Sequence, residues 1–139
     1  MLKPRGKRAL HQASRWLRAH GFALEVGTRY ATGFNHGVWL EGDLVVFDPT
    51  EAHPGDLLHE AGHLAVLPSC IRAHAAPGDI EDSVQPVIDA YLLKHPGALA
   101  TWPEDPVARA CLQASDLEVI AWAYAAAIDA GIDPWLTCE

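Results

Sequence analysis

Residues 54–68 read PGDLLHEAGHLAVLP, an apolar run closed at both ends by proline. Proline is tolerated in the first turn of a helix, where its missing N–H has no intrahelical acceptor, but it cannot continue one. With Gly55 and Asp56 behind Pro54, and Pro68 beyond the tail, this punctuation predicts a helix from near 54 to 66. The other elements are laid out around it.

Upstream, residues 8–20 predict a first helix in which Leu10, Ala13, Trp16 and Leu17 share a broad apolar face, stopped by Gly21. FALEVGTRYA (22–31) alternates apolar and polar side chains as a strand does, and GVWLEGDLVVFDP (37–49) divides into strands 37–41 and 44–48 joined through Gly42-Asp43, a tight hairpin by residue type. Downstream, 68–82 reads as a loop. SVQPVIDAYLLKH (83–95) reads as a helix with Ser83 as cap and Pro86 inside its first turn, ended by Pro96-Gly97. Residues 106–130 are alanine-rich, with an interruption near Ala114-Ser115 from which Ser115 would cap a final helix running to Gly131. Trp39, Trp102, Trp122 and Trp135 read as core or cleft-lining aromatics, while His11, His20, His36 and His53 read as exposed. The expected fold class is α+β: an N-terminal helix, a small twisted mostly antiparallel sheet, the motif helix, then C-terminal helices, forming a single domain over 1–139.

The formal net charge is -8, yet six of the ten Lys and Arg precede the first acid, Glu25. The acidic remainder argues against nucleic acid as a partner, because a phosphate-tracking surface needs clustered cations. The basic start reads as a solvated amphipathic helix face. It lacks the apolar run of a secretory signal, and no stretch reaches the roughly 18 apolar residues of a membrane span, so no membrane partner is expected. Three widely spaced cysteines, Cys70, Cys111 and Cys138, make neither a disulfide framework nor a metal knuckle, which fits a reducing cytoplasm. Cys138 reads as an exposed thiol, with a latent zinc ligand as the alternative. The finish in DPWLTCE is also what a piece of a longer protein would show.

Within the motif helix His59 and His63 stand four apart, a spacing that puts their Cβ atoms roughly 5–6 Å from each other on one face, so both imidazoles can serve one ion. Glu60 lies about 100° further round the helix, where its carboxylate can reach a metal-activated water as a general base. Leu57, Leu58, Leu64, Val66 and Leu67 surround the polar trio with apolar support, and Gly62 allows backbone or substrate to approach closely. Two histidines and a carboxylate are costly to bury without a shared purpose. A zinc hydrolase site is therefore favoured over a core helix whose histidines merely bond to neighbours, zinc being the default for imidazole and carboxylate ligands.

HEAGH within LLHEAGHLAVLP, preceded by a helix and a hairpin, resembles the zincin metallopeptidases. The resemblance implies a zinc-dependent peptidase acting on peptide or unfolded protein, with the last strand before the motif helix as the edge along which an extended substrate pairs. Of the two strands, the stretch Gly37, Val38, Trp39, Leu40 and Glu41 is favoured for that place. The metzincin continuation is absent, since Val66 and Ser69 stand where its glycine and third histidine would be. SDLEVIAWAYAAAIDAG (115–131) instead looks like the Glu-x-x-Ala signature of compact gluzincin-like families such as the minigluzincins and the intracellular peptidases that cleave phage repressors. This implies Glu118 as third ligand. Ser115-x-x-Glu118 also fits a capping box, and Asp116, Glu81, Asp82, Asp89, His74 and His95 stay open as alternatives. The resemblance further implies an oxyanion-stabilising Tyr, His or Arg, for which Tyr124, Tyr91, His95 and Arg72 are candidates, and acids that orient the histidines, for which Asp116 and Asp89 are. The rival expectations are a peptide-binding or regulatory module on the same fold, with a structural or vestigial metal, and a helical interaction protein without metal.

Overall fold

The computed structural model describes residues 4–28, 37–75, 80–97 and 116–137. Helix α1 (Pro4–Ala19) opens on Pro4 and buries Ala9, Leu10, Ala13 and Leu17, with Trp16 packed at the margin. It starts four residues before the predicted helix, since Pro4 suits a first helical position. Gly21, at φ 87°, turns the chain out of it.

Strands β1 (Ala23–Val26), β2 (Val38–Glu41) and β3 (Leu44–Phe47) form a sheet in the order β1-β3-β2. The β2–β3 pair is the predicted two-residue hairpin, antiparallel with Glu41 opposite Leu44, and Gly42 takes the φ of 64° that such a turn demands. β1 joins the far side of β3 in parallel, pairing Ala23 with Leu44 and Val26 with Phe47. The sheet is thus mixed, half parallel, where a mostly antiparallel one was expected. Alternation gives strand residues without giving partners: β1 enters from α1 in the direction of β3, and no tight turn links the two. Val38, Leu40, Val45 and Phe47 point into the main core, while Trp39 and Val46 pair on the opposite face.

Helix α2 (Pro54–Val66) has the predicted bounds and runs through the middle of the molecule, touching α1, the sheet and the last helix. Its Leu57, Leu58 and Ala61 are wholly buried. Residues expected to form a loop make α3 (Ser69–Arg72), one turn anchored by buried Ile71, whose N–H bonds to the Pro68 carbonyl at 2.9 Å. A single turn is too short to show periodicity. Helix α4 (Ile80–Lys94) begins a turn before its predicted start, which makes Ser83 an interior residue and sets Pro86 beyond the first turn. Helix α5 (Asp116–Asp129) starts directly after Ser115 and ends before Gly131, at φ 73°. A 3-10 segment (Pro134–Thr137) then packs back on α2 and α5. Its Trp135 is 76% exposed, contrary to the expected core or cleft role. The first part of the alanine-rich stretch, 106–113, together with Trp102, Cys111, Cys138 and His36, lies outside the described residues. Together these elements make an α+β fold with a three-stranded sheet and five helices among the described residues.

Candidate metal centre

The site is built on α2, and both its ends are fixed by local chemistry. His53, expected to be exposed, is half-buried and caps the helix: its Nδ1 accepts from the Gly55 N–H at 3.2 Å. The residue immediately before Pro54 occupies the N-cap, so the helix start was the signal for this role. Gly55 lies under the Leu136 carbonyl, where a Cβ would collide with it, so the 3-10 segment closes over the first turn. At the other end the Leu67 N–H makes the last helical bond, to the His63 carbonyl at 3.2 Å, and Leu67 itself is extended ahead of Pro68, which ends the helix at Val66.

On this frame His59 and Glu60 are half-buried and His63 is 7% exposed. The two imidazole centroids are 4.9 Å apart with ring planes at 83°, an edge-to-face arrangement. One ligand atom from each of His59, Glu60 and His63 lies within 4.8 Å of the others. Ligand atoms about 2 Å from a shared zinc are at most about 4 Å apart, so the two histidine nitrogens need only a small approach to share an ion, with the Glu60 carboxylate beside it. The chemistry of these donors fits a divalent metal, and the group could hold such an ion. Its pattern is compatible with a zincin motif.

Gly62 explains how a second helix reaches this neighbourhood. A Cβ there would stand 2.9 Å from Val119 Cγ1, 3.2 Å from Trp122 Cε3 and 3.3 Å from the Val119 carbonyl oxygen. The close approach that Gly62 permits is thus made by α5. Trp122 extends the contact to α1, its ring centroid 6.0 Å from that of Trp16 and 5.6 Å from that of Phe22, and the Trp16 Nε1–H donates to Asp129 at 2.8 Å.

Glu118 sits in the first turn of α5, exposed, directly before buried Val119. Its carboxylate is not in the group formed by the motif residues. Ser115, the other half of the possible capping box, lies outside the described residues, as do the side chains of Glu81 and Asp116. Asp82, Asp89, His74 and His95 are all exposed and outside the group, and Asp89 accepts a 2.8 Å bond from Gln85. Arg72, on α3, donates through Nε to the Leu67 carbonyl at 2.8 Å. Tyr91 and His95 stack on each other along α4, centroids 4.3 Å apart, and His95 Nδ1 bonds to the Tyr91 carbonyl. Tyr124 is exposed, five residues on from Val119 and so about 140° round α5 from the face that meets α2.

β2 is an edge strand by position, its described ladder bonds going to β3 alone. Val38, Trp39 and Leu40 are buried, Glu41 is exposed and accepts from Trp39 Nε1 at 3.1 Å, and Gly37 is buried at φ 78° beneath the Glu51–Ala52 backbone. No described helix is long and apolar enough to cross a membrane. Compared with known protein families, with curated proteins and with solved structures, the chain matches none.

Proposed function

We propose that this chain is a compact zinc-dependent peptidase of the zincin type, gluzincin-like, which hydrolyses peptide bonds in exposed or unfolded segments. The observation that carries the proposal is the convergence of His59, Glu60 and His63 on one side of a helix whose other sides are packed and whose ends are capped. In this reading His59, His63 and Glu118 hold the metal, which when bound would polarise the scissile carbonyl and acidify a water. Glu60 takes the proton from the attacking water on a carboxylate oxygen and delivers it to the leaving amide nitrogen. Burial of His63 and of Leu57, Leu58 and Ala61 on the same helix would keep the histidines from drifting, so little reorganisation is needed at reaction. β2 would offer its outer N–H and C=O groups to an extended substrate. For Glu118 the support is proximity: it adjoins Val119, which touches Gly62, the neighbour of His63. A reducing cytoplasm, as the cysteine usage suggests, completes the reading.

A second reading keeps the fold and makes the protein a peptide-binding or regulatory module with little turnover. It is favoured by the composition of the ligand group, which among the described residues takes no donor from any element but α2. Elemental analysis of purified protein, beside Glu118→Ala and Glu60→Gln, separates these. A peptidase carries about one zinc per chain. Glu60→Gln keeps the metal and loses at least about 100-fold in cleavage of a peptide library, while Glu118→Ala loses the metal. Zinc retained undiminished in Glu118→Ala removes that residue from the site. Zinc with no cleavage of any peptide gives the second reading, and wild type that takes up no zinc ends both.

A further inference from the structure

The cations that precede Glu25 play no part in the metal centre, yet the fold gives several of them a common direction. Lys7, His11, Ser14 and Arg18 follow one another on α1 at spacings of four, three and four, which is one face of a helix. That face borders a cavity of about 620 Å³, inside the roughly 300–1,000 Å³ of small-molecule sites. None of the metal-binding trio lines it.

The facing wall is built where the two parallel strands end together. Val26 and Phe47 are register partners and the last residues of β1 and β3, and both line the cavity. Beyond them Pro49, Thr50 and Glu51 form a turn that is held in place: the Asp48 carboxylate accepts from the Thr50 N–H at 2.8 Å and from its hydroxyl at 2.6 Å, and the Ala52 N–H bonds to the Asp48 carbonyl at 2.8 Å. Leu10 and Phe47, each 4% exposed, give an apolar floor. At 1.5 Å of rise per residue, Lys7 and Arg18 stand about 16 Å apart along the cavity.

We propose that this cavity binds a small organic anion with an elongated apolar body, an alkyl carboxylate being the simplest member of the class. The apolar body lies on Leu10, Val26, Phe47 and Pro49, and the anionic head pairs with Lys7 or Arg18. Among the described lining residues, two permanent cations against the one acid Glu51 select for negative charge, on a chain whose net charge is -8. The apolar floor selects against inorganic anions, which would leave it unfilled. A short cationic stripe beside an apolar cavity is also no track for a phosphate backbone.

The test is calorimetric titration of the full chain, as purified and again with excess chelator, with decanoate below its micellar concentration beside decan-1-ol and decyltrimethylammonium. Decanoate is expected to saturate at one per chain in both preparations, with the uncharged and cationic analogues at least about tenfold weaker, since a hydrogen bond to a charged group is worth that much. Lys7→Glu with Arg18→Glu, both exposed in the parent, should cut decanoate affinity at least about tenfold with the melting temperature held. Val26→Asn, at a position 54% exposed, should weaken decanoate and the alcohol alike. The proposal is overturned by any of three results: decanoate fails to saturate, the ammonium analogue binds as tightly, or the double charge reversal leaves its affinity unchanged. Binding that vanishes with chelator would move the carboxylate to the metal centre and overturn it as well.

Discussion

Helices α2 and α5 cross at Gly62, and both are rich in apolar residues, but they sort their side chains by different rules. α2 sorts by polarity, with leucines and Ala61 inward and Glu60 with the two histidines gathered on the remaining side. α5 sorts by size. It buries Val119, Ala123, Ala126 and Ala127 and leaves Leu117, Ile120, Tyr124 and Ile128 exposed. A close helix crossing rewards small residues at the contact, because large ones would hold the backbones apart. The lesson concerns how a metal site is assembled. Two ligands four apart on one helix are fixed by helix geometry alone, whereas a ligand from a second helix depends on how that helix is rotated about its own axis. In α5 that rotation is set by Val119 and Trp122 against Gly62, with Ala123, Ala126 and Ala127 buried along the same helix.

The largest test breaks α2's polar side. His63→Ala should lower zinc affinity by more than the roughly 10–100-fold that loss of a ligand's hydrogen-bond partner costs, measured by competition with a chromogenic chelator. Next comes the crossing itself. Gly62→Ala sets a Cβ against Val119 and its carbonyl, an overpacking cost of about 1–3 kcal/mol, offset by about 1 kcal/mol of helix propensity. A net loss near 1 kcal/mol is expected in denaturant melts, partly relieved by adding Val119→Ala. His53→Ala removes the α2 cap and should cost about 0.5–1 kcal/mol by the same melts. On the outer face of α5, Leu117→Gln should change stability by less than about 0.5 kcal/mol, since a size-sorted helix has no packing there to lose.

The smallest effect falls on the turn that leads from β3 to α2. The hydroxyl and then the N–H of Thr50 hold the Asp48 carboxyl below its usual 3.8. A depressed carboxyl adds stability above the unfolded value and loses it as pH falls through the folded one. Thr50→Ala should therefore raise the Asp48 midpoint toward 3.8 in an NMR titration. The accompanying stability loss should be small, solvent-screened, and present at neutral pH but not in strong acid.

The same contrast decides what was legible beforehand. α2 could be bounded to the residue because proline marks each end, and the β2–β3 hairpin because Gly42-Asp43 names its turn. The motif trio followed from spacing within one element. What depended on contacts between distant segments was hidden, namely the parallel pairing of β1 and the exposure of Trp135, and α3 was too short to show a period. His53 went unrecognised for a different reason, since histidine is not among the usual capping residues. Glu118 could be chosen from a local signature, but its direction depends on the small-residue face of α5, and a pattern search for large apolar residues would have turned that helix the wrong way out.

The closure of the Pro134–Thr137 segment over Gly55 also has a meaning in time. A ribosome finishes the motif helix long before it makes the residues that seal that helix's first turn. At about 5–20 residues per second, the interval from His63 to Thr137 is roughly 4–15 seconds. For most of it the newborn histidine pair lacks Val119 at its flank, and almost to its end it lacks Leu136 at its head. Metal acquired in that window would meet an open, unfinished helix, and the last turn of the described chain would arrive as a latch on a site already occupied.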